Sequence, residues 1–361
     1  MRVKFKMSNK DTDGLELKKR EIAADINNYQ RLLKALIALY KFTKTEGGEF
    51  YFGGKIIPSD PNSPTPDIII KLPKISIVGD AKRSLPNPNN TANFTSSEDY
   101  LKKFIENDLI RQLKGYDIDI SNIGIKNHDL ILLAPHGATD AMALLKFDFL
   151  NKKKNVFDRK FILLVYVVEA LANTEQIRIS YEWGGLSSKE IEDKIKRGKI
   201  SYYSGELDRE MGMFKIFEEN NGATPMVYVM QILWAHIFPE IIKKSDKDPI
   251  LDWYKKGENV FEVKLSKLLK YLTKLYSLPY IADGNGTSER IQFKIQLVSN
   301  AMENFVKMGL AERDEKEVTE NTKYKVTWKE LPEKDITSYF VEKMWNNGLF
   351  KGEEVGQAKL D

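Results

Sequence analysis

Asp67, Asp80 and Lys82 are the residues whose types and spacing point most directly to chemistry. Asp67 stands at the mouth of an apolar run, Ile68-Ile69-Ile70. Asp80 and Lys82 close a second one, Ile75-Ser76-Ile77-Val78-Gly79-Asp80-Ala81-Lys82. Both runs are short, β-branched and bounded by proline, which predicts two strands and not a helix. The link Leu72-Pro73-Lys74-Ile75 is short enough for a hairpin turning at Pro73-Lys74, and that register sets Asp67 directly opposite Asp80. Facing side chains in such a pair have Cβ atoms about 5 Å apart, where like charges destabilise the sheet. Side chains alternate along a strand, so Lys82 shares the face of Asp80. A hard divalent cation such as magnesium, ligated through carboxylate oxygens, would give the two acids a common purpose. An ordinary strand-end salt bridge is the alternative.

Pro66-Asp67 before one strand and Asp80-Ala81-Lys82 on the next resemble the signature of the PD-(D/E)XK nuclease superfamily. Acid-x-Lys triplets recur in this chain, at Glu16 to Lys18, Asp158 to Lys160 and Glu262 to Lys264. What sets Asp80-Ala81-Lys82 apart is the apolar strand before it and the acid opposite. A third element follows on a helix whose apolar face is Tyr100, Leu101, Phe104, Ile105, Leu109, Ile110 and Leu113. That helix carries Gln112-Leu113-Lys114-Gly115-Tyr116, the only Gln-x-x-x-Tyr in the sequence, and i, i+4 spacing puts both side chains on one side. The RecB-type branch of the superfamily has this motif after its Asp/Glu-x-Lys strand.

The resemblance implies that Asp67 and Asp80 hold Mg²⁺ or Mn²⁺, with the Ala81 carbonyl as a further ligand. A first helix often contributes an acid in this superfamily, and Glu21 is the choice here. Lys82 would orient or deprotonate the attacking water, and Gln112 and Tyr116 would support the lysine or touch the phosphate backbone. Some RecB-type nucleases carry an iron–sulfur cluster on four cysteines. This chain has no cysteine, which excludes that cluster, disulfides and thiol chemistry. With three histidines, His128, His136 and His236, a histidine-rich zinc site is not expected. His136, just after a core strand, is a minor site candidate.

The net charge of +4, from 56 basic and 52 acidic residues, is compatible with nucleic acid but too small to argue for it. The start, MRVKFKMSNKD, is basic without an apolar h-region, and the run Met226 to Ile242 is too short and too polar to cross a bilayer. A cytoplasmic location with no membrane partner is expected.

The elements that must position these residues read as a helix over 15–44, a strand over 49–57, and the two strands around Pro73. The 98–116 helix follows, then a strand over 129–135, a helix over 138–146, and strands over 161–168 and 176–182. This alternation predicts an α/β fold with a three-layer restriction-endonuclease-like nuclease core. Residues 1–185 are the expected nuclease-like domain and 186–255 a helical connector, with the apolar helix around Trp234 as core or interdomain packing. Helices over 265–275, 288–295 and 297–308, then Gly309-Leu310 and a strand at 323–328, resemble a winged helix-turn-helix domain over 256–332. Its third helix is poorly basic, so Arg290, Lys294, Arg313, Lys323 and Lys325 are the phosphate-contact candidates. Residues 333–361 read as a polar C-terminal tail. Together these readings predict a metal-dependent DNA endonuclease, in restriction or defence or in recombination or repair. Cutting both strands with one site per chain would call for a homodimer. The alternatives are a non-catalytic DNA- or protein-binding protein on a nuclease fold and an exonuclease acting on DNA ends.

Overall fold

The computed structural model describes residues 9–51, 64–83, 85, 97–121, 124–136, 142–143, 145–153, 156–171, 174–211, 225–245, 258–276, 279–281, 288–290, 295–313 and 316–350. The expected helix at 138–146, the strand beyond Tyr51, Lys294 and the end of the tail fall wholly or partly outside them. The chain is mixed α/β and forms two compact units, one of Asn28–Phe214 with Leu278–Ile291, the other of Met1–Asn27, Lys215–Ser277 and Gln292–Asp361. The long helix α1 (Asn9–Thr45) is shared between them.

The first unit is built on a seven-stranded sheet whose spatial order is its sequence order. Its strands are β1 (Glu49–Tyr51), β2 (Ile68–Leu72), β3 (Ile75–Ala81), β4 (His128–Pro135), β5 (Phe161–Leu171), β6 (Thr174–Gly184) and β7 (Ser201–Tyr203). The pairs β3–β4 and β4–β5 are parallel and the others antiparallel. Apolar runs such as Leu130 to Ala134 and Phe161 to Val165 are buried throughout, as strands covered on both faces require. One face packs on a helical stack of α2 (Ser97–Phe104), a π-helical segment Ile105–Ile110, and α3 (Arg111–Tyr116), joined by Leu145 and Leu150 of a second helical segment, Leu145–Asn151. Ile105, Leu109, Leu113 and Tyr116 there join Ile69, Val78, Leu130, Leu132, Leu163 and Val165 in one core cluster. Gly79 permits the close approach of β3 and β4, because a Cβ there would overlap the Ile131 carbonyl oxygen.

This unit does not end at 185 as the sequence suggested. β7 pairs with β6 through Gln176↔Tyr203 and Arg178↔Ser201, and the unit runs on to Phe214. A three-residue edge strand is too short to show a period.

In the second unit a three-stranded antiparallel sheet has Lys323–Lys329 between Ala311–Glu312 and Glu258–Lys264. Helices Leu265–Tyr276 and Ile295–Lys307 accompany it. The expected connector does not stand apart, because Met226–Ile232, the π-helical Leu233–Ile237 and Phe238–Ser245 belong to this unit's core. Trp234 lies 5.5 Å from Phe305 and 5.6 Å from Phe340 between ring centroids. Two expectations need correction. Residues 333–346 are a helix and not tail, burying Ile336, Phe340, Val341 and Met344, a helical spacing masked by polar neighbours. Ser288–Arg290 is a strand paired with Pro279–Ile281, not the start of a helix. Among the described residues no helix is long and apolar enough to cross a membrane.

Candidate functional site

The β2–β3 hairpin has the register its turn dictates, with Leu72 opposite Ile75 and Ile68 opposite Gly79. One further step brings Asp67 and Asp80 to the same open end of the pair. The carboxylates do not simply face each other. Asp67 Oδ2 accepts the Ala81 N–H at 2.9 Å, while Asp80 forms an ion pair with Lys82. Repulsion is thereby divided between a backbone donor and an ammonium. The N–H and C=O of a strand residue point to one side, so the Ala81 carbonyl lies along the edge that Asp67 occupies.

Val78 packs in the cluster beneath α3. By alternation Asp80 and Lys82 share its face, and α3 meets them there. Lys82 Nζ donates to Gln112 Oε1 at 2.9 Å. One turn on, the Tyr116 hydroxyl donates to the Thr65 carbonyl at 3.0 Å, two residues before Asp67. Between them Gly115 lets the helix close on that segment, since a Cβ there would lie 2.9 Å from Pro64 Cγ. The wide π-helical turns just before α3 reset the phase of the helix. They help to set which side of Arg111–Tyr116 faces the strands.

His128 braces α3 from below. Its Nε2–H donates to the Tyr116 carbonyl at 2.8 Å, and burial pushes its pKa down to about 4. The imidazole is therefore neutral near pH 7. His136 is exposed, and its backbone N–H donates to the Tyr166 carbonyl at 3.0 Å.

Asp80 is 1% exposed; its Oδ2 is ion-paired with Lys82, and its Oδ1 has no hydrogen-bond partner. A buried carboxylate oxygen left without a donor is costly, and an oxygen in that state suits a hard cation. The donor set fits Mg²⁺ or Mn²⁺. Asp67, Asp80 and the Ala81 carbonyl supply oxygen, and magnesium is usually held by one or two carboxylates, with water and phosphate completing its shell. Glu21 lies on the part of α1 grouped with the second unit, exposed, 3.7 Å from Lys18. Among the described residues no three histidine, aspartate or glutamate side chains gather as a metal-holding set.

Of the phosphate-contact candidates, Arg313 is held by both carboxylate oxygens of Glu303, at 2.7 and 2.9 Å. Arg290 belongs to the sheet unit, and Lys323 and Lys325 are exposed. Sequence reasoning missed Tyr166, whose hydroxyl donates to the Lys82 carbonyl at 3.0 Å although it stands 84 positions further along the chain. No local pattern marks it. No family model, curated protein or solved structure matches this chain.

Proposed function

We propose that this protein is a metal-dependent deoxyribonuclease, with a sheet unit of the PD-(D/E)XK kind and a second unit of the winged-helix kind. The observation that carries this is the meeting of Asp67, Asp80, Lys82 and Gln112 at one strand end, with Asp80 buried, its Oδ2 paired with Lys82 and its Oδ1 without a donor. Asp67, Asp80 and the Ala81 carbonyl would hold Mg²⁺ or Mn²⁺. Such an ion polarises a scissile phosphate and lowers the pKa of bound water.

The chain's own residues do the rest. Lys82, steadied by Gln112, orients or deprotonates the attacking water and offsets charge developing on the phosphate. Tyr116 and Gly115 hold α3 to the segment before Asp67, so the amide and the acid keep their spacing. In the second unit the strand Glu258–Lys264, the two helices and the strands Ala311–Glu312 and Lys323–Lys329 follow one another in winged-helix order. This supports a DNA-binding role, with Lys323 and Lys325 as phosphate contacts. A homodimer would bring two sites to the two strands of a duplex.

The test is incubation of the pure protein with circular and linear DNA, with Mg²⁺, Mn²⁺ or EDTA. Nicking or linearisation of circles that chelator abolishes is expected. Loss of linear DNA alone would make the enzyme an exonuclease, and binding without cutting would retire the catalytic reading.

A further inference from the structure

The Lys82 carbonyl lies where a ladder bond is missing. β3 and β4 run parallel with Ala81 opposite Leu133, and the Lys82 N–H donates to the Leu133 carbonyl at 2.8 Å. In a parallel ladder, a residue that donates to one neighbouring-strand carbonyl accepts from the N–H two residues further along that strand. For Lys82 that donor would belong to residue 135, which is proline and has none.

Tyr166 stands in the gap. It is the β5 residue paired with Pro135. Its hydroxyl donates to the Lys82 carbonyl at 3.0 Å and lies 3.4 Å from the Arg83 carbonyl. Tyr166 is 3% exposed, and burial pushes its pKa up against a weaker opposing effect of Arg31. The phenol therefore remains a donor. Val165 packs in the cluster under α3, so its neighbour Tyr166 rises from the other face of the sheet. Lys82 is thus held from both faces, its amine by Gln112 and Asp80 and its carbonyl by Tyr166.

We propose that Tyr166 is a positioning residue for Lys82: its hydroxyl replaces the N–H that Pro135 withholds, and so fixes where the Lys82 amine stands relative to Asp80 and Gln112. The catalytic consequence rests on the nuclease function proposed above; the positional one does not.

Two measurements on the full chain separate them. In the first, trace acetic anhydride labels lysines at one fixed pH, and mass spectrometry compares Lys82 with Lys74, which is 71% exposed. Tyr166→Phe should raise Lys82 labelling at least about threefold, as local opening exposes the amine. Tyr181→Phe is the control, because it removes a phenol-to-carbonyl bond of the same kind, to Gly184 at 2.8 Å, and should leave Lys82 labelling unchanged. Pro135→Ala added to Tyr166→Phe supplies the missing N–H and should bring labelling back toward wild type. The second measurement is DNA cleavage. Tyr166→Phe should lower kcat about tenfold or more with KM and Mg²⁺ affinity unchanged, since displacing a positioned group is costly, and the double variant should recover most of that loss. Lys82 labelling unchanged in Tyr166→Phe overturns the proposal, and so does raised labelling that Pro135→Ala fails to reverse. If Tyr166→Phe alone does not fold, the double variant decides. Folded with wild-type labelling it supports the proposal; unfolded, it overturns it. Wild-type protein that cuts no DNA sinks the nuclease function and leaves the labelling result standing.

Discussion

Lys82 Nζ stands 2.9 Å from Gln112 Oε1, joining the end of a buried strand to a helix that follows 15 residues later in the chain, from Ser97 to Tyr116 with its π-helical segment. Gln112 offers Lys82 an uncharged acceptor, whereas Asp80 offers a charge that a cation would claim. On the proposed function, an amine bonded to both would keep one fixed partner when the other turned to metal, and the lysine and the acid can then be tested separately.

Asp80→Asn tests the acid. A ligand that binds only the folded state raises apparent stability, by about 2.7 kcal/mol at a hundredfold excess over Kd. Wild-type protein should show a Tm that climbs with Mg²⁺ concentration, and Asp80→Asn should show a flat one. An undiminished Mg²⁺-dependent shift in the variant would remove Asp80 from the metal site.

Lys82→Ala tests the amine. Its Tm should still climb with Mg²⁺, while cleavage falls about a hundredfold or more, the usual scale for a lost proton-transfer group. Gln112→Leu should fall between the two enzymes, because it loosens the amine without deleting it. A Lys82→Ala protein that cuts at the wild-type rate would show the lysine to be a salt-bridge partner only.

His128 sets a pH dependence of stability. Its folded pKa, about 4, lies below the ordinary value of 6.5, so between those values the unfolded chain binds more protons. Stability is then full above about pH 6.5, falls as pH drops toward 4, and levels off below it, by at most about 3 kcal/mol. Urea unfolding at pH 7.5, 5.5 and 4.5 should show a steeper decline for wild type than for His128→Gln. Parallel declines would show that other groups, and not this imidazole, govern the acid side.

The hairpin was legible because every local signal agreed. β-branched runs, a Pro73-Lys74 turn and acids at the open end admit one register, and that register is observed. The Gln112–Tyr116 pair was legible for a similar reason, since helical spacing alone puts both on one side. What sequence could not supply was anything that depends on how distant strands are paired. Pro135 is plainly visible in the chain, but it matters only because residue 135 falls beside the Lys82 carbonyl, and Tyr166 only because it pairs with Pro135. Glu21 shows the converse. It was chosen on the family resemblance alone, since no spacing within α1 ties that acid to the β2–β3 hairpin, and its turn of α1 groups with the other unit. The helix at 333–346 was missed because Ile336, Phe340, Val341 and Met344 are separated by polar residues that read as a tail.

That helix supports the last prediction. Phe340 is fully buried, with its ring 5.6 Å from Trp234 and 5.5 Å from Phe305. Trp234 is also tied by its indole N–H to the Lys329 carbonyl at 2.9 Å, and Trp328 donates back to the Trp234 carbonyl at 2.9 Å. The helices around Trp234, the helix Ile295–Lys307 and the last helix therefore share one aromatic core, although more than 100 residues separate Trp234 from Phe340. Phe340→Ala should cost about 3–5 kcal/mol, the range for emptying a buried phenylalanine site. Ending the chain at residue 332 should do more, exposing Trp234 and Phe305 together. The check is urea unfolding followed by tryptophan fluorescence, with dye binding to report exposed apolar surface. A chain ending at 332 that unfolds at the wild-type urea concentration, with no gain in dye binding, would show that the last helix is the appendage its polar residues suggested.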